Sequence, residues 1–159
     1  MTADFPALLS PLRPYELKGA VRPGDAELDQ LESDLGGRLP SVYRRFLKEC
    51  GGIGLTGGAV FPSPGTPGGR INAFYGLGGD SWWDVRARTF DTYAGRIPDE
   101  TVPIGESEGD LVLIGFDGGR RGQVFTWFHE LAQSPADIHK VADSFEGFLT
   151  ILRPNPAYA

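Results

Sequence analysis

Residues 102–128 read VPIGESEGDLVLIGFDGGRRGQVFTWF. Three short apolar runs stand out in this stretch: Val102 to Ile104, Leu111 to Phe116 and Gln123 to Phe128. Each is too short for a helix, and the last alternates well enough for a half-buried strand. The intervening Asp117-Gly118-Gly119-Arg120-Arg121-Gly122 predicts a hairpin turn between the second and third runs. Strands that follow one another on short turns pair antiparallel, because a parallel pair needs a crossover of a dozen residues or more.

Upstream, the period is helical. Leu28, Leu31 and Leu35 recur at i, i+3 and i+7, with Glu27, Asp29, Glu32 and Asp34 on the other side, so a helix opens at Asp25 and stops at Gly36-Gly37. Leu39-Pro40-Ser41 starts a second helix, with Tyr43, Phe46, Leu47 and Cys50 on its apolar face and Arg44, Arg45 and Lys48 on its basic one, ending at Gly51-Gly52. Between Gly51 and Gly79, 14 of 29 residues are Gly or Pro. Within this segment Ala59 to Phe61 and Ile71 to Tyr75 predict two short strands joined by a long loop. Ser81-Trp82-Trp83-Asp84 predicts the cap of a third helix with Trp82 or Trp83, Val85, Phe90 and Tyr93 buried and Gly95 at its end. Ile138, Val141, Phe145, Phe148, Leu149 and Leu152 predict a closing helix from about Pro135 to Pro154.

The resulting order is helix, helix, strand, strand, helix, three strands, helix. It predicts an α+β fold, a single domain built on a mainly antiparallel sheet with helices packed against it. Residues 25–153 form that domain. Residues 1–24, with Pro6, Pro11, Pro14 and Pro23, read as an extended lead-in, and 154–159 as a C-terminal tail.

Composition narrows the function. The 159 residues are 40% hydrophobic and 23% charged, which suits a soluble globular protein and argues against disorder. With 23 glycines and 13 prolines, about twice the usual combined share, an all-helical bundle is disfavoured. The 15 Lys and Arg face 21 Asp and Glu, a net charge of -6 that opposes nucleic-acid binding and suits a basic protein partner. One cysteine, Cys50, leaves no internal disulfide and fits a reducing compartment. The first ten residues lack the pattern of a secretory signal, and the longest apolar run, Leu111 to Ile114, is far short of a membrane span. The expectation is a cytoplasmic protein without membrane contact.

Three motifs suggest chemistry, and each meets a physical objection. Gly52-Ile-Gly54-Leu-Thr-Gly57 matches G-x-G-x-x-G, but it follows a helix and leads toward a strand, the reverse of a dinucleotide-binding turn. Gly105-Glu106-Ser107-Glu108-Gly109 matches a nucleophile elbow, with Asp117 and His129 in hydrolase order. A strand follows it rather than a helix, and two carboxylates beside Ser107 disfavour an alkoxide. Asp99, Glu100, Glu106, Glu108 and Asp110 place five carboxylates in twelve residues without the spacing of a calcium loop. His129, His139 and Cys50 are too scattered for zinc. No catalytic residue, metal site or cofactor is therefore expected. Trp82 and Trp83 cannot both enter one core from adjacent positions, so one is expected to be exposed, where tryptophan often anchors a protein partner.

The stretch Leu28 to Gly52, LDQLESDLGGRLPSVYRRFLKECGG, resembles the opening of the SUKH superfamily, which includes fungal cell-wall assembly regulators and many bacterial immunity proteins. The matching features are Leu31-Glu32, Gly36, Leu39-Pro40, Tyr43, Phe46-Leu47 and Gly51-Gly52. Ile104-Gly105-Glu106, Leu111 to Ile114, Gly122 to Trp127, His129-Glu130 and Ser144-Phe145 continue the likeness. The resemblance implies an α+β domain and a non-enzymatic immunity protein that neutralises a cognate polymorphic toxin, such as a nuclease or nucleic-acid deaminase. A regulatory scaffold like the fungal relatives is the alternative, and a small serine hydrolase the remote one. The expected partner-binding residues are Trp82, Trp83, Glu106, Glu108 and Asp110, and the expected state is a monomer or weak dimer.

Overall fold

The sheet is the frame on which everything else is laid. In the computed structural model, which describes residues 3–158, strands β1 (Pro14–Glu16), β2 (Ile53–Phe61), β3 (Gly69–Phe74), β4 (Thr101–Ser107), β5 (Asp110–Gly115), β6 (Val124–Trp127) and β7 (His139–Ala142) lie side by side in chain order. A short β8 (Arg153–Pro154) pairs with Ala59 and Val60 of β2, on the edge that β1 occupies further along. Every strand pair is antiparallel. The α+β architecture is as expected.

The two predicted N-terminal helices form as α2 (Asp25–Leu35) and α3 (Ser41–Cys50), after a five-residue α1 (Phe5–Leu9). Gly36 takes the left-handed conformation that ends α2, and its N–H donates to the Glu32 carbonyl. Glu32 then ties the two helices together. Its carboxylate accepts from the Leu39 N–H at 2.7 Å and from Arg44 at 2.5 Å. That is the physical content of the Leu31-Glu32 and Leu39-Pro40 pattern: the acid spans the α2–α3 turn and satisfies a backbone donor there.

Phe46 of α3 is the hub of the packing against the sheet. Its ring centroid lies 5.3 Å from Phe5 of α1, 5.1 Å from Phe74 of β3 and 5.0 Å from Phe145 of α5 (Phe145–Ile151), all edge to face. One aromatic cluster thus joins both ends of the chain to the sheet.

The central strand β5 is buried throughout its apolar run, and successive side chains enter different cores. Val112 and Ile114 join the helix-side cluster; Leu111 and Leu113 join a second one with Tyr93, Ile97, Phe125 and Trp127. The sheet is therefore covered on both faces, the second by a thin layer of turns and loops rather than by long helices.

Four expectations are amended. Residues 3–24 are not extended throughout, since Phe5, Leu9 and Leu12 enter the core and β1 joins the sheet. The β2 strand starts at Ile53, two residues after α3, so Gly54 and Gly57 of the G-x-G-x-x-G match lie within a strand and Gly52 just before it; the Tyr15 ring lies across Gly54, and a Cβ there would sit 2.3 Å from it. The third helix shrinks to a 3-10 turn (Ser81–Trp83) followed by α4 (Val85–Ala87), which continues as a π-turn through Thr92. That irregular winding leaves Phe90 40% exposed. The closing helix begins at Phe145, not near Pro135: Ile138 and Val141 fit a helical period, but 139–142 pair with β6 as an edge strand, and the Ser144 side chain caps α5 by accepting from the Gly147 N–H.

The hydroxyl of fully buried Tyr43 has no hydrogen-bond partner among the described residues, and burial pushes its pKa far above that of a free phenol. Tyr43→Phe should therefore be neutral or stabilising by up to about 1 kcal/mol, whereas Phe46→Ala should cost about 3–5 kcal/mol, both read from urea unfolding curves. Tyr43 and Tyr75 both stay protonated in the fold while unfolded tyrosine ionises near pH 10. Stability is thus fully present below pH 10 and should fall as pH rises above it, with a gentler slope in Tyr43→Phe.

Candidate partner-binding surface

The chain between β3 and β4 is held as a closed loop before any side chain is placed on it. Gly76 and Asp84 bridge: the Gly76 N–H donates to the Trp83 carbonyl at 2.7 Å and the Val85 N–H to the Gly76 carbonyl at 2.8 Å. The Asp80 side chain accepts from the Trp82 N–H, and the Asp84 carboxylate accepts from the N–H groups of Gly78 and Ala87. These caps fix the adjacent tryptophans. Trp82 is 67% exposed, while Trp83 is half-buried and packs against the helix-side core.

Beneath Trp82 lies Arg88, only 7% exposed. Its Nε donates to the Trp82 carbonyl at 2.9 Å, and its guanidinium carbon sits 5.2 Å from the Trp82 ring centroid and 5.5 Å from that of Tyr75. The charge is answered by Glu106, 3.6 Å away, whose carboxylate also accepts a 2.7 Å hydrogen bond from the Tyr75 hydroxyl. Burial raises the Tyr75 pKa strongly, and the Glu106 charge and the hydrogen bond to it raise it further. The exposed indole therefore rests on a partly buried network of Arg88, Tyr75 and Glu106.

Glu106 reaches this network because of a register shift between Pro103 and Gly105. Unbroken alternation from Val102 would put Glu106 on the helix-side face. The shift places it opposite Leu111, which belongs to the second core. Glu108 and Gly109 then make a two-residue turn, both with positive φ (50° and 92°), as a tight hairpin requires. Asp110, back in β5, accepts from the His129 backbone N–H at 3.1 Å and lies 2.7 Å from its Nδ1.

The five anticipated residues are thus only partly united. Trp82 and Glu106 meet through Arg88; Trp83 turns inward; Glu108 stands at the hairpin tip beside a shallow depression shared with Tyr15, Arg70 and Tyr158; Asp110 is paired with His129. Of the acidic cluster, Glu106, Glu108 and Asp110 stand on the β4–β5 hairpin, while Asp99 and Glu100 sit in the turn before β4. Arg88 carried no motif and was missed, although its i+3 spacing from buried Val85 points it inward.

The hydrolase constellation is not assembled. Ser107 is buried near Asp110 and His129, whereas Asp117 lies beyond the opposite end of β5, roughly 20 Å along the strand. Among the described residues no group of three or more His, Cys, Asp or Glu is placed to hold a metal ion, and no helix is long and apolar enough to cross a membrane.

Comparison with known proteins adds two findings. The profile of the SMI1 / KNR4 family (SUKH-1) matches residues 23–151. The chain is also similar to the SPbeta prophage-derived protein YokK of Bacillus subtilis (strain 168), at 29% identity over 151 residues, covering 84% of this chain and 76% of that protein. The profile match begins two residues before α2 and ends with the last residue of α5.

Removing the guanidinium leaves the Trp82 carbonyl without its donor and the Glu106 carboxylate without its counter-charge, with only the Tyr75 hydroxyl still donating to it. Arg88→Ala should lose about 2–3 kcal/mol of stability in urea unfolding, and the double variant Arg88→Ala/Glu106→Gln should lose less than the sum of the two single losses.

Proposed function

The chain belongs to the SMI1 / KNR4 (SUKH-1) family, and from that we propose that it is an immunity protein: it binds a cognate toxin and neutralises it, and it does so without catalysis of its own. The match over residues 23–151 carries this reading, because the family is known for immunity proteins and the match takes in most of the sheet and helices described above. The likeness to a prophage-derived bacterial protein accords with it.

Physical features of the surface support the same reading. An exposed tryptophan on a braced base is the kind of anchor that dominates protein interfaces, since little conformational freedom is lost when it is buried. Glu106 and Asp110 are paired with Arg88 and His129, while Glu108 adds negative charge at the hairpin tip, within a chain of net charge -6 that favours association with the basic substrate cleft of a toxin that acts on nucleic acid. Neutralisation then requires nothing beyond occupancy: a protein seated over the cleft excludes the substrate. The site of action in this reading is the cytoplasm, and the functional unit is the monomer or a weak dimer.

Titration calorimetry of the chain against the inactivated product of the adjacent upstream gene tests this. Nanomolar or tighter binding, about -12 kcal/mol, is expected. Trp82→Ala should weaken it at least tenfold, and Glu108→Lys should slow association chiefly at low salt. Absence of heat at micromolar concentrations would contradict the pairing.

A further inference from the structure

We propose that the crevice between the end of α2, the π-turn after α4 and residues 93–98 receives one apolar side chain of the partner protein, set between basic residues of that partner. The identity of the partner rests on the toxin-binding reading; the chemistry of the crevice does not.

The crevice holds about 190 Å³; Leu35, Phe90, Tyr93, Ile97, Pro98 and Phe116 give it apolar walls, and Thr89, Thr101 and Asp99 line it with polar groups. An apolar cavity of about 150 Å³ suffices for a benzene ring, so a Leu, Ile or Phe side chain fits. Phe90 stands at its mouth, 40% exposed, and also lines the neighbouring depression with Asp34, Arg86 and Asp91. Arg86 is bonded to Asp34 and lies 5.9 Å from the Phe90 ring, which holds that ring in place. One wall is low at Gly95, where an added Cβ would meet nothing within 4 Å.

The rim sets the charge of the occupant. Asp91 borders the Phe90 depression and Asp99 the crevice itself. Both are exposed, and no ion pair of the described residues includes either. These two free carboxylates outnumber the one unpaired cation of the segment, Arg96, which stands over Tyr93, and they complement an apolar residue with lysine or arginine beside it. The larger depression between α2 and α3, about 800 Å³, differs: its Arg44 is already bonded to Asp29 and Glu32. The crevice is built from the same π-turn that carries Arg88, the residue beneath Trp82.

Methyl-detected NMR titration with the capped tripeptide Lys-Leu-Arg tests the chemistry directly. Shifts should centre on Leu35 and Ile97 and saturate with a dissociation constant of about 1 mM. The tripeptide Glu-Leu-Glu should bind at least fivefold more weakly, and Ala94→Phe, which fills the slot from an exposed position, should abolish the shifts while leaving thermal unfolding unchanged. No shifts at Leu35 and Ile97, equal response to the acidic peptide, or no effect of Ala94→Phe would each overturn the proposal. With the toxin, Ala94→Phe should weaken binding at least tenfold; undiminished affinity would also overturn it. A chain that binds the basic peptide in the crevice but no toxin would instead remove the toxin-binding reading and leave the crevice chemistry standing.

Discussion

The requirement that dominates this structure is the burial of both faces of β5. Leu111, Val112, Leu113 and Ile114 are each at most 1% exposed, and because side chains of a strand alternate, two separate layers must cover them. Antiparallel sheets commonly leave one face to water. Here the helices supply one cover, centred on Phe46, and the turns between β3 and β4 and after β6 supply the other through Tyr93, Ile97, Ala132 and Ile138. The second cover is thin, and Trp82 and the β4–β5 hairpin lie beside it.

A charged residue is buried where the two covers meet: Arg88 occupies the space between Trp82, Tyr75 and Glu106. A guanidinium suits the place because its flat faces stack on aromatic rings while its edge donates hydrogen bonds. Further along, Arg96 sits over Tyr93 and Trp127 in the same manner, 5.4 and 5.3 Å from their centroids. Arg96 thus covers the second core, while Arg88 supports the exposed Trp82 indole. The cost is an imperfect interior: the Trp127 Nε1 has no hydrogen-bond partner among the described residues.

Much of this was legible in the sequence where one physical signal acts alone. The α2 and α3 boundaries follow from apolar period, glycine stops and the Leu39-Pro40 step, and the β5–β6 hairpin follows from its turn residues. Legibility failed where two signals compete. Ile138 and Val141 satisfy a helical spacing, yet pairing with β6 prevails. Trp82 and Trp83 were expected to differ in exposure and do, but which one faces solvent depends on the bridge between Gly76 and Asp84, a contact that spacing does not reveal. Glu106 was singled out for its charge, while its placement depends on a register shift that strict alternation conceals. Arg88 was invisible because buried arginine has no local signature; it is recognised only through the residues that surround it.

The central claim is that a partner seats on the thin cover and the hairpin beside it rather than on the helical layer. Hydrogen–deuterium exchange of the chain, free and with the proposed toxin bound, tests this most directly, because it reads every segment without substitution. The account predicts new protection in residues 80–98 and 106–110, with α3, α5 and the start of α2 exchanging as they do in the free chain. Protection confined to those helical segments, with 80–98 and 106–110 unchanged, would contradict it.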